Sequence, residues 1–175
     1  MITFKDYIAE ISKPAGNYVS LNVDGSVYLV SNDLVSTGIK VTPDKQHVTL
    51  MYSEWSDLDH DEVLQIIESE FPVAVAAQGV GFECFDSSEE NTSCIVLKLK
   101  SDILNAIHTR LKGLGCNHSY SDFKPHITLW YDVDKEEARL ACKLLNKIEK
   151  LPIDVRLAGY KSEPIDDNWS KKLDK

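Results

Sequence analysis

Two octapeptides, KQHVTLMY at residues 45–52 and KPHITLWY at residues 124–131, agree at five of eight positions. Their histidines stand 126 − 47 = 79 residues apart, and the midpoint between them falls near the middle of the 175-residue chain. Self-similarity at that spacing marks a duplicated fold with two related lobes. Both copies alternate as β-strands do, and the period of two assigns their faces. Lys45, His47 and Thr49 share one face in the first copy, as Lys124, His126 and Thr128 do in the second. Val48, Leu50 and Tyr52, like Ile127, Leu129 and Tyr131, are expected on the opposite, packed face. If the lobes face each other, the two polar faces line one cleft.

Working outward, Phe4, Ile8 and Ile11 have helical spacing, ended by Pro14 and Gly16. Tyr18–Val23 and Val27–Ser31 are β-type runs around Asp24-Gly25, a strong hairpin signal. Residues 57–71 read as an amphipathic helix, 73–85 as a β-run broken by Gly79 and Gly81, and 93–100 as a further strand. Ser101 is placed to cap a helix to Lys112, and Asp134 with Glu137 opens another to about Lys150. Strands are expected at 123–132 and 153–160. No Pro-, Gly- or Ser-rich linker divides the chain, so residues 1–175 read as a single α+β domain with helices packed on sheet.

Composition narrows the function. Nineteen Lys and Arg against 28 Asp and Glu give a net charge of −9, the wrong sign for coating long DNA or RNA, which needs clustered cations. A small phosphorylated ligand in a local pocket stays compatible. No stretch has the roughly 20 apolar residues of a membrane span, and charges interrupt the N-terminus where a signal peptide needs an apolar core. The chain therefore reads as cytosolic. Cys84, Cys94, Cys116 and Cys142 form no CxxC pair and read as reduced packing thiols, with a Cys84–Cys94 bridge conceivable if they face across a hairpin.

The repeated face suits phosphodiester cleavage. An unperturbed imidazole titrates at about 6.5, so a pair can divide general base and general acid between them. Thr49 and Thr128, one pleat repeat from the histidines, can donate to the non-bridging phosphate oxygens. One His-x-Thr strand alone is an ordinary solvated sheet face, whereas the duplicated frame needs a shared role. Lys45 and Lys124 have two readings, phosphate contacts or aggregation-blocking edge lysines. His60 sits among Asp59, Asp61 and Glu62 at a helix start, where neighbours diverge. Neither it, His108 nor His118 has zinc-site spacing, so no metal and no cofactor is expected.

The two motifs, HVTL and HITL half a chain apart, resemble those of the two-histidine (2H) phosphoesterases. The resemblance implies a bilobal α+β fold with two pseudo-symmetric antiparallel sheets lining a central groove, helices outside, and metal-independent hydrolysis by His47, Thr49, His126 and Thr128. Within that superfamily, FKDYIAE near the start and the segment EPIDDNW near the end look most like the phage anti-CBASS nucleases, which degrade cyclic oligonucleotide signals of a bacterial defence. The resemblance further implies nucleotide contacts from Tyr18, Glu163 and Trp169. Phe85, beside the mid-chain turn, reads either as core packing or as a further stacking surface. It implies attack by a ribose 2′-hydroxyl on the adjacent phosphorus, through a 2′,3′-cyclic phosphate.

The expected partner is a cyclic di- or oligonucleotide, with no long nucleic acid and no membrane, acted on by a monomer or weak oligomer in the cytoplasm, the host's if the chain is phage-encoded. Two competing functions are a 2H enzyme for 2′,3′-cyclic-phosphate or 2′-5′-linked RNA ends, and a module that sequesters a nucleotide without cleaving it. The second leaves the matched histidines unexplained.

Overall fold

The computed structural model describes residues 16–25, 27, 29, 46–54, 56–87, 90–117, 119 and 122–165. The chain runs β1 (Gly16–Val23), β2 (His47–Ser53), α1 (His60–Glu70), β3 (Ala74–Asp86), β4 (Thr92–Lys100), α2 (Asp102–Gly113), β5 (His126–Asp134), α3 (Lys135–Ile148) and β6 (Ile153–Ile165). The expected helix at 4–13 lies outside the described residues.

All strand pairs are antiparallel, in the closed order β1-β2-β5-β4-β3-β6. The ring is two three-stranded sheets, β2-β1-β6 and β5-β4-β3. They join along β3–β6 and touch again at the single bridged pair Val48 and Ile127. That pair differs by 127 − 48 = 79 residues, the spacing of the histidines. The β3–β6 ladder obeys the same shift: Ala74 pairs with Ala158 and Gly79 with Ile153, where 153 − 74 = 79 and 158 − 79 = 79. One pseudo-twofold axis therefore runs between β2 and β5 and between β3 and β6. The two expected pseudo-symmetric sheets are present, but they are not the two halves of the sequence, because each takes its third strand from the other half.

Apolar faces of the strands carry the helices. α1 packs on β6 through Val63 and Ile67, and its counterpart α3 packs on β3 through Ala138, Cys142 and Leu145. α2 covers β2 with Leu104, Ile107 and Leu111. Together with Val19, Leu21, Val48, Leu97, Ile127 and Leu157, all fully buried, these side chains form a continuous core behind the sheets. The acidic cluster around His60 is a helix start, as read. Asp59 accepts from the Glu62 amide at 2.8 Å, and Glu62 accepts from the Asp59 amide at 3.2 Å, a complete capping box. Asp134 accepts from the amides of Glu136 and Glu137. Ser101 departs from expectation, since its hydroxyl donates to the Ala76 carbonyl on β3 rather than capping α2.

Three further expectations are revised. Gly25 takes the positive φ of +91° that its turn needs, yet both edges of β1 are occupied by β2 and β6. A hairpin partner for β1 at 27–31 therefore has no free edge. The described Val27 and Leu29 are buried outside any strand, and the rest of that run lies outside the described residues. β3 continues through Gly79 and Gly81 with a register shift between them, instead of breaking. Cys84 stands opposite Ile95 and Phe85 opposite Cys94, so Cys84 and Cys94 point to opposite faces. The Cys84 thiol instead lies 2.7 Å from Cys142 on α3.

His108 is a structural histidine. A carbonyl can only accept, so its Nδ1 donates to the Leu50 oxygen at 2.8 Å, and its ring stacks on Phe123 with centroids 4.1 Å apart and planes 2° from parallel. Burial holds its pKa below the ordinary imidazole value.

Candidate active site

The β1–β2 ladder pairs Asn22 with His47, Leu21 with Val48 and Ser20 with Thr49, then resumes at Val19 with Met51 and Tyr18 with Tyr52. Leu50 is an inserted residue, and it and Met51 both face the core. β5 repeats the device: Lys98 pairs with His126 and Val96 with Thr128, then Ile95 with Trp130, with Leu129 inserted. Each bulge reverses the alternation beyond it. Tyr52 and Tyr131, expected on the packed face, therefore share the face of the histidines and threonines. Paired buried residues, Leu-Met and Leu-Trp, were the available signal for it.

Two half-sites result. In the first, His47 and Thr49 are flanked on β1 by Tyr18, and Tyr18 stands opposite Glu163 on β6. In the second, His126 and Thr128 are flanked on β4 by Lys98 and Val96, and Phe85 on β3, opposite Cys94, reaches the His126 ring. The Val48–Ile127 bridge joins them. With those two side chains turned into the core, antiparallel register directs His47 toward Thr128 and Thr49 toward His126 across the groove.

The halves differ in chemistry. The Tyr18 hydroxyl lies 2.6 Å from His47 Nε2 and 2.9 Å from Thr49 Oγ1. Burial chiefly, with smaller contributions from Tyr131 and Glu163, pushes the Tyr18 pKa up to about 12, so it remains a neutral hydroxyl at physiological pH. In the second half, His126 Nδ1 donates to the Lys124 carbonyl at 2.6 Å, which fixes the tautomer and leaves Nε2 as a lone pair. The Phe85 ring meets the imidazole edge-on at 4.8 Å. Burial lowers the His126 pKa, the carbonyl partly opposes that, and the nearby His47 lowers it again. Thr128 is hydrogen-bonded to the Tyr131 hydroxyl, whose pKa burial raises. Each threonine is thus oriented by a tyrosine.

Of the residues picked out in the sequence, His47, Thr49, His126, Thr128, Tyr18, Glu163 and Phe85 come together. Phe85 belongs to this face and not to the core. Lys124 contributes its carbonyl, while Lys45 and Trp169 lie outside the described residues. Sequence reading missed Tyr52 and Tyr131, and also the pair formed by Lys98 and Glu83 beside His126. Among the described residues, no three His, Cys, Asp or Glu side chains converge as a metal site would require. No described helix is long and apolar enough to cross a membrane.

The duplicated α+β fold brings the two His-x-Thr strands to one groove, the arrangement that the resemblance to two-histidine phosphoesterases leads one to expect. The family model described as "Anti-CBASS protein Acb1" matches residues 16–172, and the chain belongs to that family. Relatives of the same description include one from Yersinia phage phiR1-RT, 28% identical over 173 residues and 99% of each chain. Another, from Enterobacteria phage T4, is 29% identical over 133 residues, 76% of this chain and 79% of the relative. A crystal structure of E. coli LigT complexed with 3′-AMP has a TM-score of 0.47 at 11% identity, covering 88% of this chain and 97% of that one.

Proposed function

We propose that this chain is a metal-independent phosphodiesterase that cleaves 3′–5′ bonds of cyclic di- and oligonucleotide second messengers, a phage counter-defence activity carried out in the host cytoplasm by a monomer or weak oligomer. The observation that carries this reading is the differentiated histidine pair. His126 is desolvated, is held as the Nε2 lone-pair tautomer, and is disfavoured as a cation by His47. One proton divided between two neighbouring imidazoles is the state that acid–base catalysis requires.

In this reading His126 Nε2 takes the proton from the ribose 2′-hydroxyl as its oxygen bonds to phosphorus. The bond from phosphorus to the 5′-oxygen breaks, and His47 Nε2, turning from its Tyr18 hydroxyl partner, delivers a proton to that leaving oxygen. The result is a linear nucleotide ending in a 2′,3′-cyclic phosphate. Water then attacks with the roles reversed: His47 accepts its proton and His126 returns one to the departing 2′-oxygen. Thr49 and Thr128, oriented by Tyr18 and Tyr131, donate to the non-bridging oxygens as their charge grows. Glu163 lies beside Tyr18, where it can contact the bound nucleotide; Phe85 offers a ring for stacking, and Lys45, Lys124 and Trp169 are read as further substrate contacts.

A panel of cyclic dinucleotides and trinucleotides incubated with the protein in excess EDTA tests the proposal by chromatography and mass. The expected products are a ring-opened isomer of unchanged mass, followed by a species heavier by one water. His47→Ala or His126→Ala should each lower kcat by about 10² to 10⁴. Loss of turnover on chelation refutes the metal-free mechanism. Inertness toward every cyclic nucleotide with cleavage of cyclic-phosphate-ended RNA moves the chain to RNA-end processing.

A further inference from the structure

Lys98 is the register partner of His126 on β4, so its side chain emerges on the groove face, on the side of His126 away from His47. Its Nζ donates to Glu83 Oε1 at 2.6 Å, and both side chains are little more than half covered. An ion pair that exposed contributes little to stability, so the pair holds the ammonium in place without committing it. The corresponding position beside His47 is Asn22, a neutral amide that donates to the Gly159 carbonyl at 3.1 Å. The pseudo-twofold axis therefore relates a cation to a neutral group. A scaffold with a cation as the direct register partner of only one of its two histidines favours one orientation of a polyanionic ring.

We propose that Lys98 binds a second phosphodiester group of the substrate, the one not being cleaved, and that Glu83 holds the lysine ready until that phosphate displaces it. The inference rests on the reading of the groove as a phosphodiesterase site with His126 as base. The nucleoside whose 2′-hydroxyl faces His126 is joined through its 3′-oxygen to the reacting phosphorus. Its 5′-oxygen carries the next phosphate of the ring, and Lys98 is the cation directly beside His126 on β4. Lys98 thus reads the connectivity of the substrate, favouring a ring or chain that continues in the 5′ direction over an isolated 3′-phosphate. Lys98 is a binding residue here and moves no proton.

Adenosine 3′-phosphate and adenosine 3′,5′-bisphosphate differ by this one group and can be titrated calorimetrically without turnover. The wild-type protein should bind the bisphosphate about 10-fold more tightly, as expected for one charge-assisted contact. Lys98→Ala should collapse that ratio to about 1–2 and Lys98→Arg should restore most of it. Glu83→Gln, which removes the competing carboxylate, should widen it. Lys143→Ala on α3 makes the same change in net charge away from the groove and should leave the ratio alone. The logarithmic salt dependence of bisphosphate binding should fall by roughly one contact's share in Lys98→Ala. A merely structural cross-strand pair would show equal melting-temperature losses in Lys98→Ala and Glu83→Gln and no change in the ratio, and that result overturns the inference. An unmoved ratio in a protein that still opens cyclic dinucleotides overturns it while leaving the phosphodiesterase reading intact. Failure of the wild-type protein to bind either nucleotide overturns both.

Discussion

Replacing His108 by Ala tests whether the bulge that shapes the first half-site depends on α2. The inserted residue Leu50 is fully buried, and its carbonyl receives the His108 Nδ1 proton at 2.8 Å. Without the imidazole that oxygen loses its partner, at a cost of about 1–3 kcal/mol for a buried unsatisfied acceptor. Loss of the coplanar stack on Phe123 adds about 0.5–1.5 kcal/mol. The sum, about 1.5–4.5 kcal/mol, should lower Tm by roughly 3–18 °C for a domain of this size. Differential scanning fluorimetry and urea titration measure it, and His108→Asn, which keeps a donor near Nδ1, should recover about half. Acid gives a second readout. Burial holds the folded His108 pKa below its ordinary value, so below about pH 6.5 the unfolded chain takes up a proton that the folded chain refuses. Stability from this group is complete above that pH and is lost as pH falls, so the wild-type acid slope should exceed that of His108→Asn. Well below its melting temperature, His108→Ala should keep kcat within about 10-fold, because proton-transfer losses of 10² or more belong to reacting groups. A Tm change under 2 °C, or a kcat loss near 10³ in a fully folded variant, would refute the reasoning.

Two further outcomes follow from the site and its scaffold. In the proposed mechanism His126 is the base in its neutral form, and since burial lowers its pKa, the acid limb of kcat/KM should lie below the ordinary imidazole value of about 6.5. Phe85→Ala, which admits water beside the ring, should move that limb upward in a pH–rate profile. Gly16→Ala would put a Cβ 2.5 Å from the Ser53 carbonyl and 2.8 Å from that of Glu54, both rigid backbone atoms. Since such a clash must displace the β1–β2 pairing that seats Tyr18, the variant should lose several °C in Tm and activity along with it.

The parts of this protein legible in the sequence are those governed by short-range rules. His47 and Thr49 are two residues apart on one strand, so alternation finds their common face, and Asp59 with Glu62 announces its helix by spacing alone. Alternation failed from Leu50 and Leu129 onward because a bulge adds one residue, and that single insertion carried Tyr52 and Tyr131 to the other face. The hairpin signal at Asp24-Gly25 was correct about the turn but not about the partner, since competition for the edges of β1 is settled by β2 and β6 from far along the chain. Lys98 and Glu83 are 15 residues apart on different strands, and nothing local marks either as part of the site. The family resemblance supplied Tyr18 and Glu163, whose contact depends on pairing the first described strand with the last.

That pairing of β1 with β6 also sets a timetable. During synthesis His47, Thr49 and Tyr18 leave the ribosome about a hundred residues before the third strand of their sheet, residues 153–165. The half-site built around His47 stays unfinished until residues 153–165 have emerged. A ribosome-bound fragment of even 150 residues, carrying both His-x-Thr strands, should be catalytically silent, and activity should begin abruptly as β6 closes the ring.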